Sequence, residues 1–237
     1  MTTGRRIVMA IGAHPDDVEL GMAGTVAKHG DRGDEVHMVI CSLGIGGQSG
    51  DPKIREMEAK TAAGILGAKL HILDYPVVKL NRPSAEFEQL VRKAIEEIGP
   101  DRLYTHSPFD YHQVHESVSH CVTQAAQDVR QVLFYEVIPS TNPCFIPNAY
   151  VDITRYIDLK IKSVAAHNTQ GKKWYMQPNA LTSLAYTRYM LGKIGVRHDG
   201  MAEAFAIKKF IVEDIAEGAQ KTAARGLAGK VTTTSAA

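Results

Sequence analysis

Apolar and polar positions alternate along the chain with two different periods. Short apolar runs, typical of buried strands, are separated by stretches in which apolar residues recur at helical spacing. The apolar runs predict strands at Arg6 to Gly12, Glu35 to Ser42, Lys69 to Leu73, Arg102 to His106 and Gln131 to Val137. The stretches between them predict helices at Leu20 to Arg32, Lys53 to Leu66, Ser84 to Ile98 and His115 to Asp128.

This alternation predicts an α/β fold, a Rossmann-like and mostly parallel sheet with helices on both faces. The active site of such a sheet lies at the carboxyl ends of the strands. After Pro139 the pattern is less regular, and it predicts a strand near Tyr150 to Ile153, a helix from Thr154 to His167, a polar insertion, and a helix and strand through Ala202 to Val212. We expect one domain over residues 1–215 and a disordered tail at 216–237, where apolar periodicity is missing.

Composition excludes several classes of function. The 237 residues are 44% hydrophobic, enough for one well-buried domain. Lys and Arg number 27 against 26 Asp and Glu, and this balance disfavours a nucleic-acid surface. Three cysteines without a CxxC pair indicate neither a disulfide framework nor a thiolate metal site, as expected of a cytoplasmic protein. No apolar run is long enough to span a membrane.

The first candidate chemistry lies directly after the first predicted strand, in the segment Ala13-His14-Pro15-Asp16-Asp17. His14 and Asp17 are three residues apart, so both can converge on one divalent metal ion if the chain turns into a helix here. Asp16 would then point elsewhere and can act as a general base. The alternative is that Asp16 or Asp17 merely caps the following helix, which leaves the other two side chains without a role.

A second candidate constellation follows the fourth predicted strand, in Asp110-Tyr111-His112-Gln113-Val114-His115. If the first and fourth strands are neighbours, this loop reaches the crevice near His14. One histidine could complete a His/Asp/His metal set, and the other could polarise a carbonyl or protonate a leaving group. Taken alone, a pair of histidines three residues apart is more often a surface feature than a ligand pair.

Other polar residues have weaker signals. The loop from Gly44 to Gly50 is a poor dinucleotide fingerprint and a better wall for a substrate pocket, and Arg55 just after it could bind a polar substrate or pair with Glu56 or Glu58. His167 ends a helix, where it serves capping or substrate binding. The remaining histidines lack partners at metal-ligand spacing and are interpreted as structural: His29, His37, His71, His106, His120 and His198. His106 fits this interpretation least well, because it ends the fourth predicted strand.

With these motifs the chain resembles the PIG-L/LmbE-like family of zinc-dependent N-deacetylases. The matching stretches are AHPDDVELG from Ala13, the HxxH motif, the segment around Arg55, HNTQ from His167 and AEAF from Ala202. The resemblance implies Zn²⁺ held by His14, Asp17 and His115, with Asp16 as general base and His112 acting on the oxyanion or the departing amine. Arg55, Asp110, Tyr111 and His167 are the predicted substrate-binding residues.

The bacillithiol-biosynthesis deacetylases are among the most similar branches. Val114 stands where the family often has Asp, so a carboxylate that orients His112 has to come from elsewhere, with Asp110 as candidate.

The expected protein is therefore a zinc amidase that removes an acetyl group from a small soluble amino-sugar conjugate. The alternatives are a zinc amidase for a non-sugar amide, such as a thiol conjugate or an antibiotic intermediate, and a non-catalytic nucleotide-binding or sensor protein of the same fold. The aromatic surface offered by Trp174 and Tyr175 suits a subunit contact, so we expect a homo-oligomer.

Overall fold

A computed structural model describes residues 4–44 and 51–211. Seven strands form one sheet: β1 (Ile7–Gly12), β2 (Glu35–Ile40), β3 (Lys69–Ile72), β4 (Arg102–His106), β5 (Gln131–Tyr135), β6 (Ala149–Asp152) and β7 (Ala202–Phe210). Their order across the sheet is β3-β2-β1-β4-β5-β7-β6. The first five strands are parallel, and β7 runs antiparallel to both β5 and β6. The predicted mostly parallel α/β sheet is confirmed, including the neighbouring positions of β1 and β4.

Helices cover both faces of this sheet: α1 (Asp17–Asp31), α2 (Pro52–Leu66), α3 (Ala85–Ile98), α4 (Gln113–Ala125), α5 (Ile157–Ala165) and α6 (Pro178–Gly192). Residues of β1 alternate between two apolar cores, because successive side chains of a strand point to opposite faces. Val8 and Ala10 join the core under α1, α2, α5 and α6, whereas Met9 and Ile11 join the core under α3 and α4. The carboxyl end of β1 is thus fixed from both sides.

The later part of the chain departs from the expected pattern. The segment interpreted as a polar insertion contains α6, and only β7 occupies the stretch from Ala202. Few residues of α6 are buried, so its apolar periodicity is weak, and the sequence pattern did not predict a helix there. The predicted tail at 216–237 lies outside the described residues, and the extent of the domain remains a prediction. None of the described helices is long and apolar enough to cross a membrane.

A buried ion pair from this later part supports α1. The backbone of α1 is non-helical at Met22, and Glu203 of β7 accepts the nearby amides of Gly24 and Thr25 at 3.0 and 2.7 Å. Lys160 of α5 balances this carboxylate at 2.7 Å and also donates to the Leu20 carbonyl. The AEAF motif therefore contributes a carboxylate that satisfies the interrupted helix.

Candidate active site

Asp17, the first residue of α1, lies where three histidine rings meet. Its Oδ1 is 3.3 Å from Nε2 of His115, in the first turn of α4. Its Oδ2 is 3.2 Å from Nε2 of His106, the last residue of β4, and 3.4 Å from Nδ1 of His14, in the turn after β1. Asp17 is 3% exposed, so one buried carboxylate serves all three imidazoles.

The charges at this point favour a cation beside the carboxylate. Burial alone would raise the pKa of Asp17, but His115 and His106 hold it well below its usual range. Burial opposes a charged imidazole at His115, yet Asp17 and Asp110 raise the pKa of His115 to about 10. A metal ion could take the place of that proton, because metal binding to histidine releases one.

The predicted metal ligands come together as expected. His14, Asp17 and His115 each offer a ligand atom, and these atoms all lie within 4.8 Å of one another. Two imidazoles and one carboxylate are the donor set of catalytic zinc sites, which leave a position open for water or substrate. A second group, His106, Asp110 and His115, meets the same distance limit and shares His115 with the first.

Asp16 lies beside these ligands in a strained backbone conformation. Its φ is 102°, in the left-handed region that costs a residue with a side chain of order 1–3 kcal/mol. It occupies the N-cap position of α1, but its side chain makes no capping hydrogen bond, so the capping interpretation of Asp16 is wrong. Burial and the neighbouring Asp17 raise the pKa of Asp16 to about 6, against the opposing effects of Arg55, His167 and His14.

Arg55 supports this turn from α2. It is 4% exposed, donates to the Pro15 carbonyl, and lies 3.8 Å from Oδ1 of Asp16. Its suggested alternative partners are engaged elsewhere, since Glu56 pairs with Lys60. Glu58 accepts two hydrogen bonds from Thr169 of the HNTQ motif. The interpretation of Arg55 as a solvated residue paired with Glu56 or Glu58 is therefore wrong.

His112 stands at the start of α4 with its ring against the metal-ligand candidates. Its Nδ1 accepts the Val114 amide at 3.3 Å, which is an N-cap interaction. The ring stacks on His115 with centroids 4.3 Å apart and meets the edge of His14 at 5.3 Å. Partial burial is the largest cause that lowers the pKa of His112, and the neighbouring His115 and His14 lower it further. Because Nδ1 acts as an acceptor, the proton of the neutral ring sits on Nε2.

Asp110 compensates for Val114 in a different way from the one expected. Its Oδ1 accepts the backbone amide of His112 at 2.8 Å, and its Oδ2 lies 3.3 Å from Nδ1 of His115. The carboxylate therefore fixes the main chain of His112 and the ring of His115, rather than the ring of His112. Val114 itself is buried in the core under α3 and α4.

The other two predicted substrate-binding residues, Tyr111 and His167, differ in exposure. Tyr111 is 69% exposed beside His112, whereas His167 is fully buried and pairs with Glu19 at 3.0 Å. Residues 45–50 of the glycine-rich loop lie outside the described part of the chain. His106 is the site residue that sequence reasoning missed; its position at the end of β4 was the available signal.

Fold and site together define a Rossmann-type protein with a candidate metal centre at the carboxyl end of a parallel sheet. Residues 9–126 match the family described as PIG-L, GlcNAc-PI de-N-acetylase. The uncharacterized deacetylase YaiS of Escherichia coli K12 is 30% identical over 172 residues, covering 70% of this chain and 92% of YaiS. The chain therefore belongs to the PIG-L family of deacetylases.

Two further relatives show the range of this similarity. The N,N'-diacetylchitobiose deacetylase of Pyrococcus horikoshii, solved with an inhibitor, superposes with a TM-score of 0.69 at 25% identity over 85% of this chain and 83% of that one. The 4-oxalmesaconate hydratase of Pseudomonas putida KT2440 is 24% identical over 206 residues, covering 73% of this chain and 78% of the hydratase. These relatives give no support to the narrower resemblance to bacillithiol-biosynthesis deacetylases.

Proposed function

We propose that this protein is a zinc-dependent deacetylase that hydrolyses the N-acetyl amide of an N-acetylglucosaminyl-type conjugate. The observation that carries the proposal is the convergence of His14, Asp17 and His115, with the carboxylate of Asp16 beside them and free of a capping role. Membership of a deacetylase family supports the reaction. The relative named for diacetylchitobiose supports an amino-sugar substrate.

In this proposal His14, Asp17 and His115 hold zinc. Zinc, when bound, supplies Lewis acidity, which makes water more acidic and polarises an amide carbonyl. Asp16 takes the proton of the attacking water and later delivers it to the departing amine. Arg55 holds the backbone at Pro15 and lies near Asp16, so it keeps this carboxylate in position through the strained turn.

His112 acts on the oxyanion of the tetrahedral intermediate. Its Nδ1 is occupied by the Val114 amide, so Nε2 carries the ring proton and can donate it as a hydrogen bond. A neutral imidazole at a helix N-terminus is a hydrogen-bond donor rather than a proton donor, because the helix dipole disfavours a cation there. Of the two roles that the family resemblance left to His112, the geometry favours stabilisation of the oxyanion.

The substrate-binding roles divide according to exposure. Tyr111 is exposed next to His112 and can contact a sugar ring directly. The other three predicted substrate-binding residues are buried: Arg55, Asp110 and His167. We therefore propose that they hold the site residues in position and do not contact the substrate. Trp174 is 62% exposed and remains our candidate for a subunit contact in a homo-oligomer.

A substrate panel with detection of the released amine tests the proposal. The panel contains N-acetylglucosamine, N,N'-diacetylchitobiose, N-acetylglucosaminyl conjugates with polar and anionic aglycones, and non-sugar N-acetyl amides such as N-acetylcysteine. We expect amine release from at least one amino-sugar compound. Release only from non-sugar amides would redirect the proposal to the alternative amidase. An unsaturated dicarboxylate tests the hydratase relative, and turnover of that compound without any amide hydrolysis would overturn the proposal.

A further inference from the structure

His106 lies directly behind two of the proposed metal ligands, although no motif of the family resemblance includes it. The side chain is fully buried at the end of β4. Its ring stacks on the ring of His115 with centroids 4.0 Å apart and planes 15° apart. Its Nε2 lies 3.2 Å from Oδ2 of Asp17. One side chain therefore contacts two predicted ligands that come from different elements.

The surroundings of the His106 ring indicate where its proton sits. Nε2 faces the Asp17 carboxylate and, at 3.4 Å, the hydroxyl oxygen of Tyr135. The Tyr135 hydroxyl donates its own hydrogen to the Ile11 carbonyl, so its oxygen faces His106 as an acceptor. The Ala13 amide donates to Nε2 at 2.9 Å, so it competes with a proton on this nitrogen.

The other ring nitrogen of His106, Nδ1, has a different environment. Nδ1 of His106 is buried and has no hydrogen-bond partner among the described residues. A proton on Nδ1 would be buried without an acceptor, and it would leave the lone pair of Nε2 against a carboxylate. A proton on Nε2 instead faces Oδ2 of Asp17 at 3.2 Å, which is close enough for a charge-assisted hydrogen bond. We infer that this charge-assisted bond outweighs the loss of the neutral one from Ala13.

The inferred hydrogen bond would decide which oxygen of Asp17 faces a bound ion. Oδ2 also accepts the backbone amide of His14 at 2.8 Å, so two donors occupy it. Oδ1 remains beside Nε2 of His115. We propose that His106 is a positioning residue of the metal centre. Its Nε2–H holds Oδ2 of Asp17 so that Oδ1 is presented to the ion, and its ring fixes the plane of His115. This inference rests on the proposed zinc site.

Zinc affinity measured by competition with a chromophoric chelator tests the inference without using activity. His106→Phe keeps a stacking ring and removes the hydrogen bond. We expect it to weaken zinc binding about 10- to 100-fold, the usual effect of losing a group that orients a metal ligand. His106→Gln offers an amide donor and should recover part of that loss. The matched control is His120→Phe on the exposed side of α4, which should bind zinc like the wild type.

A second measurement uses the wild-type protein and does not depend on how the variants fold. Nitrogen NMR of ¹⁵N-histidine-labelled protein should show His106 as the Nε2–H tautomer. An Nδ1–H tautomer, or zinc affinity of folded His106→Phe equal to that of the wild type, would overturn the positioning role while leaving the zinc site intact. A wild-type protein that binds no zinc would overturn the proposed function as well, so the two failures are distinguishable.

Discussion

Two buried clusters of histidine and aspartate lie at opposite ends of α1, and they differ in how their hydrogen bonds are completed. At the far end of the helix, Nδ1 of His29 contacts Asp34 at 2.6 Å and Nε2 contacts the Tyr104 hydroxyl at 3.1 Å. Each nitrogen has its own partner. At the near end, three imidazoles share the single carboxylate of Asp17, and Nδ1 of His106 has no partner among the described residues.

The difference is the one expected between a structural histidine and a histidine that binds a metal ion. The neutral ring of His29 satisfies one acceptor and one donor, so nothing further is needed to bury it. At Asp17 three imidazoles lie against one carboxylate, with Asp110 as a second carboxylate beside His115, and these two carboxylates raise the pKa of His115 to about 10. Burial of such a group is costly unless a cation joins it. Histidine and aspartate side chains at the two ends of α1 thus differ in how their hydrogen bonds are completed, and we expect only the cluster at Asp17 to bind a metal ion.

Substitution of Asp16 or Asp17 by asparagine should give the largest effect. The two variants should distinguish the metal ligand from the general base. We expect Asp17→Asn to lose zinc and activity together. Asp16→Asn should keep zinc and lose kcat by about two orders of magnitude or more. Metal analysis and steady-state kinetics measure both quantities. Equal zinc loss in the two variants would mean that Asp16 is also a ligand.

The histidines of α4 should separate in a similar way. His115→Ala should lose zinc. His112→Ala should retain zinc and KM while kcat falls about 100- to 1000-fold, the typical cost of removing one oxyanion donor. Zinc content and kinetics of both variants decide between them. Zinc that is lost from His112→Ala but kept by His115→Ala would exchange the two roles.

A change at the far end of α1 should affect stability and leave the metal centre alone. His29→Gln removes a buried ring with two hydrogen bonds, so we expect it to lower the free energy of unfolding by about 1–3 kcal/mol. Zinc affinity should remain that of the wild type. Urea denaturation and chelator competition test the two statements, and a matching loss of zinc affinity would show that the clusters are coupled through α1.

The last prediction concerns pH. Burial lowers the pKa of His29 from 6.5 to about 4, so between these values the unfolded chain binds a proton that the folded chain does not. The contribution of His29 to stability is therefore present above pH 6.5 and lost as the pH falls towards 4. Urea denaturation should show a wild-type stability that falls more steeply over this range than that of His29→Gln. Parallel curves for the two proteins would contradict the assigned pKa.

The parts of the site that depend on local spacing were predictable from the sequence. His14 and Asp17 are three residues apart at the end of an apolar run, and a strand followed by a helix brings them together. His115 required one further assumption, the neighbouring positions of β1 and β4, which the structure confirms. The parallel sheet followed from the same alternation of strands and helices.

The remaining features depend on contacts between distant parts of the chain. His106 has no motif around it. Its proposed positioning role depends on contacts between the end of β4 and the turn after β1, which are far apart in sequence. His167 is far from Glu19 in sequence, so its buried contact with Glu19 could not be inferred from the HNTQ motif. The helix α6 has few buried residues, so periodicity gave little signal there.

The most direct test of the zinc site is a zinc titration of chelator-stripped protein, followed by amine release from an N-acetylglucosaminyl substrate found in the panel. We predict no release before zinc is added, and a linear rise that reaches its plateau at about one zinc per chain, because His14, Asp17 and His115 form a single site. Full activity in the stripped protein, unchanged by added zinc, would contradict the account.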